Sequence, residues 1–210
     1  MNDRILGLHH ITAIAGGAKR NFDFYTRILG LRLVKKTVNF DDPYTYHFYY
    51  GDKVGTPGSI LTFFPWEGMQ SGRRGTRQVT EIGYSVPANS LDFWLKRFED
   101  NNVIYNKVSE KFGEQYLTFL DPDGLKFELI ASKAADNRLP WETEEVSAGH
   151  ATKGFHSVTI TTNKLQPTAD VLTNIFGYKL LETHVNRHRF VIEAVENANI
   201  GVAVEVPGEG

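Results

Sequence analysis

From Leu8 to Ala15 the chain is apolar and β-prone. Gly16-Gly17 then breaks the run, and apolar residues return at helical spacing, Phe22, Tyr25, Ile28 and Leu29. That predicts a strand followed by a helix. Gly30 stands where a helix end turns into the left-handed region, and three β-rich runs come after it, Leu31 to Phe40, Thr45 to Tyr50 and Ser59 to Trp66. Residues 1–68 therefore read as one βαβββ module. The order repeats in 76–132: strand Gln78 to Val86, helix Ser90 to Asn101 with Ser90 as its N-cap, strands Val103 to Val108 and Gln115 to Leu120, the turn Asp121-Pro122-Asp123-Gly124, and strand Leu125 to Ser132.

A polar linker, 133–152, precedes a third copy over 153–210, with strand Phe155 to Thr162, helix Leu165 to Phe176, and strands Tyr178 to Val185, Arg189 to Ala194 and Ile200 to Val206. A shift of 147 residues aligns Gly7 with Gly154, His9 with His156, Thr12 with Thr159, Ile28 with Ile175, Gly30 with Gly177, Leu33 with Leu180, Val38 with Val185 and Asn39 with Asn186, without a gap. Agreement of that density marks duplication of one unit, and such half-buried units need a partner over their inner face. The expected class is α+β, built from tandem βαβββ modules. Three copies leave one module face uncovered. The closing Val206-Pro207-Gly208-Glu209-Gly210 reads as an inter-module turn, so a fourth module is expected but absent, or else a second copy associates with the uncovered face.

Composition narrows the function. Lys and Arg number 23 against 25 Asp and Glu, and a net charge of −2 gives no field for nucleic acid or anionic lipid. With no cysteine there is no disulfide, thiolate metal site or thiol nucleophile, so any metal must sit on His, Asp or Glu. The start, interrupted by His9-His10, is neither a signal peptide nor a membrane span, which makes the cytoplasm the expected location.

Strand alternation sends one of His9 and His10 into the cupped face and the other away, and Thr12 shares the face of His10. An isolated histidine there would be a satisfied core or edge residue. Gly-Leu-His9-His10-Ile-Thr, Phe24-Tyr25 and Leu29-Gly30-Leu31, with the closing Asp121-Pro122-Asp123-Gly124-Leu-Lys-Phe-Glu128-Leu, resemble the vicinal-oxygen-chelate superfamily of glyoxalases and extradiol dioxygenases. The resemblance implies the glyoxalase/bleomycin resistance/dioxygenase fold of cupped mixed sheets, with His10 as first metal ligand. Lys35 to Pro43, Tyr46-His47, Gly55-Thr56-Pro57-Gly58 and Phe63-Phe64-Pro65-Trp66 are similar to four-module ring-cleaving dioxygenases acting on hydroquinones. That implies Fe(II), with Mn, Zn or Ni as alternatives, and a small aromatic substrate plus O2. It also implies a proton-steering role for His9 and an orienting role for Thr12. In those relatives the other two ligands, a histidine and a glutamate, belong to a fourth module, which implies that module one pairs with four and two with three and that module one is the uncovered one here.

Within this chain, Glu81 and Glu128 stand at ligand-like positions of module two. They are expected to be exposed strand carboxylates, or ligands beside His10 if modules one and two close on each other. Ser157 replaces the histidine in module three, and His47, His184 and His188 lie among polar neighbours that suit surface or supporting roles. Phe48, Tyr49, Phe63, Phe64 and Trp66 line an apolar pocket or pack a core. Two other functions stay open: a glyoxalase-like isomerase or lyase, and a metal-free resistance-type protein that binds a small molecule.

Overall fold

The structure, a computed structural model, describes residues 5–132, 136–192 and 201–207. Strand β1 (His10–Ala15) leads into helix α1 (Ala18–Asp23), which widens into a π turn over Phe24–Ile28 before β2 (Arg32–Val38), β3 (Tyr46–Gly51) and β4 (Ile60–Pro65). These strands form one sheet in the order β1-β4-β3-β2. Next come β5 (Gln78–Val86), α2 (Leu91–Asp100), β6 (Ser109–Lys111), β7 (Glu114–Leu120) and β8 (Lys126–Ala131). The last run is β9 (Phe155–Thr161), α3 (Leu165–Asp170) with a π turn over Val171–Ile175, β10 (Lys179–His184), β11 (Arg187–Val191) and β12 (Gly201–Glu205). All eight strands from β5 to β12 share a second sheet, ordered β10-β11-β12-β9-β5-β8-β7-β6. Its two halves meet where β5 pairs antiparallel with β9. The architecture is the expected α+β one.

The repeat register holds atom by atom. The Leu29 N–H donates to the Phe24 carbonyl and the Phe176 N–H to that of Val171, the five-residue reach that defines each π turn. Gly30 (φ +67) and Gly177 (φ +76) follow in the left-handed region, where a side chain would be strained. Bulges interrupt the pairing between Leu33 and Lys35 and again between Leu180 and Glu182, at the same shift.

Three local expectations are corrected in detail. Ser90 is the N-cap residue of α2 as expected, but its side chain makes no capping bond, since its hydroxyl donates to the Pro87 carbonyl at 2.7 Å instead. Val103 to Val108 is not a regular strand: it touches β7 only around Tyr105, through Leu120 N to Ile104 O and Asn106 N to Thr118 O, and the strand there is the three-residue β6. β11 begins two residues early, at Arg187. Of the expected strand ends, Ala194 and Ile200 lie outside the described residues, as do 133–135 of the linker and the final Gly208-Glu209-Gly210. The rest of the linker is docked, with Val146 fully buried beneath Gly30 and the Trp94 indole N–H bonded to the His150 carbonyl.

One core joins the first two modules. Tyr25 packs on Tyr50 and Phe63 of its own sheet and on Phe127 of the other, and its hydroxyl donates to Asp121 at 2.8 Å. Phe48, Leu61, Phe63, Tyr84, Leu117 and Phe127 all belong to this cluster. Each sheet thus spends one face on the shared core, and its other face points away. Modules one and two do not close on each other around His10.

Candidate functional site

Alternation along β1 turns Ile11, Ala13 and Ala15 to the core and leaves His10, Thr12 and Ile14 exposed on the opposite, open face. Register carries that face across the sheet. Thr12 aligns with Thr62 of β4, Thr62 with Tyr49 of β3, and Tyr49 with Lys35 of β2, so four polar side chains form one row. The Thr62 hydroxyl donates to Thr12 at 2.9 Å, and the Lys35 ammonium lies 5.2 Å over the Tyr49 ring. Beyond the row, His47 stacks on Phe64 at 4.0 Å between centroids, and Phe64 on Trp66. Of the aromatics expected in a pocket, Tyr49, Phe64 and Trp66 therefore lie on this face, while Phe48 and Phe63 fill the core.

His9 sits just before β1, and its Nδ1 meets that of His10 at 3.0 Å. Only one of those nitrogens can carry the shared proton, so if His10 donates, its Nε2 is left as a lone pair on the open face. That fits a metal donor. Among the described residues, however, no three His, Asp or Glu side chains converge, so His10 fits as one ligand and not as part of a complete set.

The open face of the larger sheet is built differently. Glu81 and Glu128 lie on it, but they are 2% and 1% exposed, not the exposed carboxylates expected. Lys111 bonds both Glu128 oxygens at 2.5 Å, and Glu81 is held by Lys126 and by Arg187 at 2.7 Å. Burial disfavours the Glu81 charge, but Arg187, Lys126 and Lys111 outweigh it and hold the carboxyl well below its usual range. Burial pushes Glu128 up and Lys111 down, which their contact opposes. Further along, Glu114 takes Arg189 at 2.6 Å and His156 at 3.4 Å, and these partners overcome burial to bring it down to about 2. Ser157, at the position of His10, only bonds His156 at 3.1 Å. Cations fill this face where a metal would sit.

Of the three histidines expected in surface or supporting roles, His47 is the one on module one's open face. It is half-buried, with burial foremost and the charges of Lys35 and His10 next in lowering its pKa. The expected surface role suits His184, which is exposed, and His188, half-buried and bonded to Thr183, better than it suits His47. Period-two alternation through Tyr46-His47-Phe48-Tyr49 is the signal that finds it.

The profile described as "Glyoxalase/Bleomycin resistance protein/Dioxygenase superfamily" matches residues 7–129. The protein named "Putative ring-cleaving dioxygenase MhqO" of Bacillus subtilis (strain 168) is 48% identical over 177 residues, 84% of this chain and 56% of that protein. "Chlorohydroquinone/hydroquinone 1,2-dioxygenase" of Sphingobium indicum is 36% identical over 180 residues, again 84% and 56%. The crystal structure of a "putative dioxygenase" from Bacillus subtilis superposes with TM-score 0.90 at 41% identity, over 99% of this chain and 66% of that one. The chain thus spans 56% of the length of the two curated relatives named above.

Proposed function

Because the chain belongs to the glyoxalase/bleomycin resistance protein/dioxygenase superfamily, we propose that module one's open face carries the metal centre of a ring-cleaving dioxygenase acting on hydroquinone- or catechol-type aromatics with O2. The observation that supports this most is the face itself, where His10 is exposed with one ring nitrogen outside its contact with His9, and where, among the described residues, no carboxylate is paired with a cation in the polar row beside it. Fe(II), held with open coordination positions, would supply the electron transfer between ring and O2. His10 is the ligand this chain contributes, and the remaining donors come from outside the described residues. His9 fixes the His10 tautomer through the 3.0 Å contact and holds a proton at its own Nε2. Thr12, bonded to Thr62, orients a ring oxygen. Phe64 and Trp66 give the ring an apolar flank.

Elemental analysis of the purified protein, followed by O2 uptake with hydroquinone and catechol, tests the reading. Stoichiometric iron with ring-dependent O2 uptake is the expected result. Zinc or nickel without O2 uptake would replace it with a glyoxalase-like isomerase or lyase. A metal-free protein that still retains an aromatic ligand would make it a binding protein.

A further inference from the structure

The pair Tyr49 and His47 on module one's open face carries an inference that rests on this reading and sharpens it. The Tyr49 hydroxyl meets His47 Nδ1 at 2.9 Å, and the imidazole lies against both the Tyr49 ring, at 4.2 Å between centroids, and Phe64. The other ring nitrogen, His47 Nε2, is buried and has no partner among the described residues. A neutral imidazole has one N–H and one lone pair, so two arrangements exist. In the first, Tyr49 donates to Nδ1, and the N–H is placed at Nε2, where it is buried and unsatisfied. In the second, Nδ1 carries the hydrogen and donates to the Tyr49 oxygen, leaving only a lone pair at Nε2. Orphaned buried N–H groups are the rarer and costlier of the two. The second arrangement also frees the phenolic hydrogen, for which no acceptor among the described residues is found.

We propose that His47 donates through Nδ1 to Tyr49 and so aims the Tyr49 O–H out of the open face, as a hydrogen-bond donor to one ring oxygen of a dihydroxylated aromatic substrate. Tyr49 is the group that touches substrate; His47 positions it. Lys35, whose ammonium lies 5.2 Å from the centre of the Tyr49 ring, anchors the phenol from β2, and the stack of His47 on Phe64 stops the imidazole from turning. The position follows from strand register, since Tyr49 is in the row of Thr12 and Thr62 next to His10. A substrate whose first oxygen lies at the metal is thereby met at a second oxygen by Tyr49, which favours two ring oxygens over one.

Two measurements decide it. Long-range proton–nitrogen NMR on the uniformly 15N-labelled protein reads the His47 tautomer without any ligand, with the signal assigned by its loss in His47→Leu. A hydrogen on Nδ1 is expected, and a hydrogen on Nε2 overturns the proposal. Hydroquinone binding, followed by quenching of Trp66 fluorescence, reads the substrate contact. Tyr49→Phe and His47→Leu should each weaken binding about tenfold, while His47→Asn, whose amide can still donate toward Tyr49, should restore most of the loss. Unchanged affinity in Tyr49→Phe, or equal losses in His47→Leu and His47→Asn, contradicts the proposal. If the wild-type protein does not bind hydroquinone, the functional reading and the Tyr49 contact fall together, and the tautomer is judged by NMR alone.

Discussion

The two open faces come from the same repeated module and ended in opposite chemical states. On the larger sheet, the face where β5 and β9 meet is filled by its own charges, with Lys111, Lys126 and Arg187 on Glu81 and Glu128. On module one, the matching face presents His10, Thr12, Thr62, Tyr49 and Lys35, and none of these is in an ion pair among the described residues. A metal is a concentrated positive charge, and lysine and arginine side chains can take its place against buried carboxylates. A face that has answered its carboxylates internally offers a metal no free donor, whereas the exposed His10 imidazole on the other face is one. That contrast is why the proposed chemistry is assigned to module one and not to modules two and three.

The largest expected effect breaks the filled face. Lys111→Met leaves Glu128 buried without its partner and should lower stability by about 3 kcal/mol or more, read from urea denaturation. The double variant Lys111→Met with Glu128→Met should recover much of that, because removing both charges also removes the uncompensated one.

Acid attacks the same face next. Glu114 has its pKa depressed to about 2 in the folded protein, so the stability it contributes is complete above its usual value of 4.5 and is lost as pH falls toward 2. Glu81 loses its contribution at still lower pH. Glu128, raised by burial, partly opposes the trend. Hydrogen exchange during a titration below pH 4.5 should therefore show the larger sheet opening before the core around Tyr25. The reverse order would remove the ion network from the account.

How much of this was legible in the chain follows from the range of each interaction. The strands, helices and β1 alternation are local patterns of period two or 3.6 that can be read from neighbours alone, the 147-residue register comes from comparing the chain with itself, and the choice of His10 over His9 comes from the family resemblance. The filling of the second face is not local. Arg187 reaches Glu81 across 106 positions, and only the β5–β9 junction brings them together, so carboxylates that look exposed in sequence are buried in the fold. The face of His47 follows from alternation along β3, but its stack on Phe64 of β4 is a contact between strands that the local pattern does not carry. The irregular Val103 to Val108 segment has β-prone residues but only sparse pairing with β7.

Smaller effects sharpen the contrast on module one. Thr62→Val removes the bond to Thr12 at the margin of the open face and should cost about 1 kcal/mol or less, while loosening whatever Thr12 orients. A loss as large as that of Lys111→Met would mean that this row is a structural network after all. His10→Ala should change stability least, within about 0.5 kcal/mol, because the side chain is exposed and buries no large apolar area.

Manganese(II) titrated into the 15N-labelled protein tests the central claim most directly, since its unpaired electrons broaden the signals of nearby nuclei. The account predicts broadening centred on His9, His10 and Thr12 that disappears in His10→Ala and is unchanged in Glu81→Gln. Broadening centred on Glu81, Glu128 and Ser157, or persisting undiminished around His10 in His10→Ala, would contradict it.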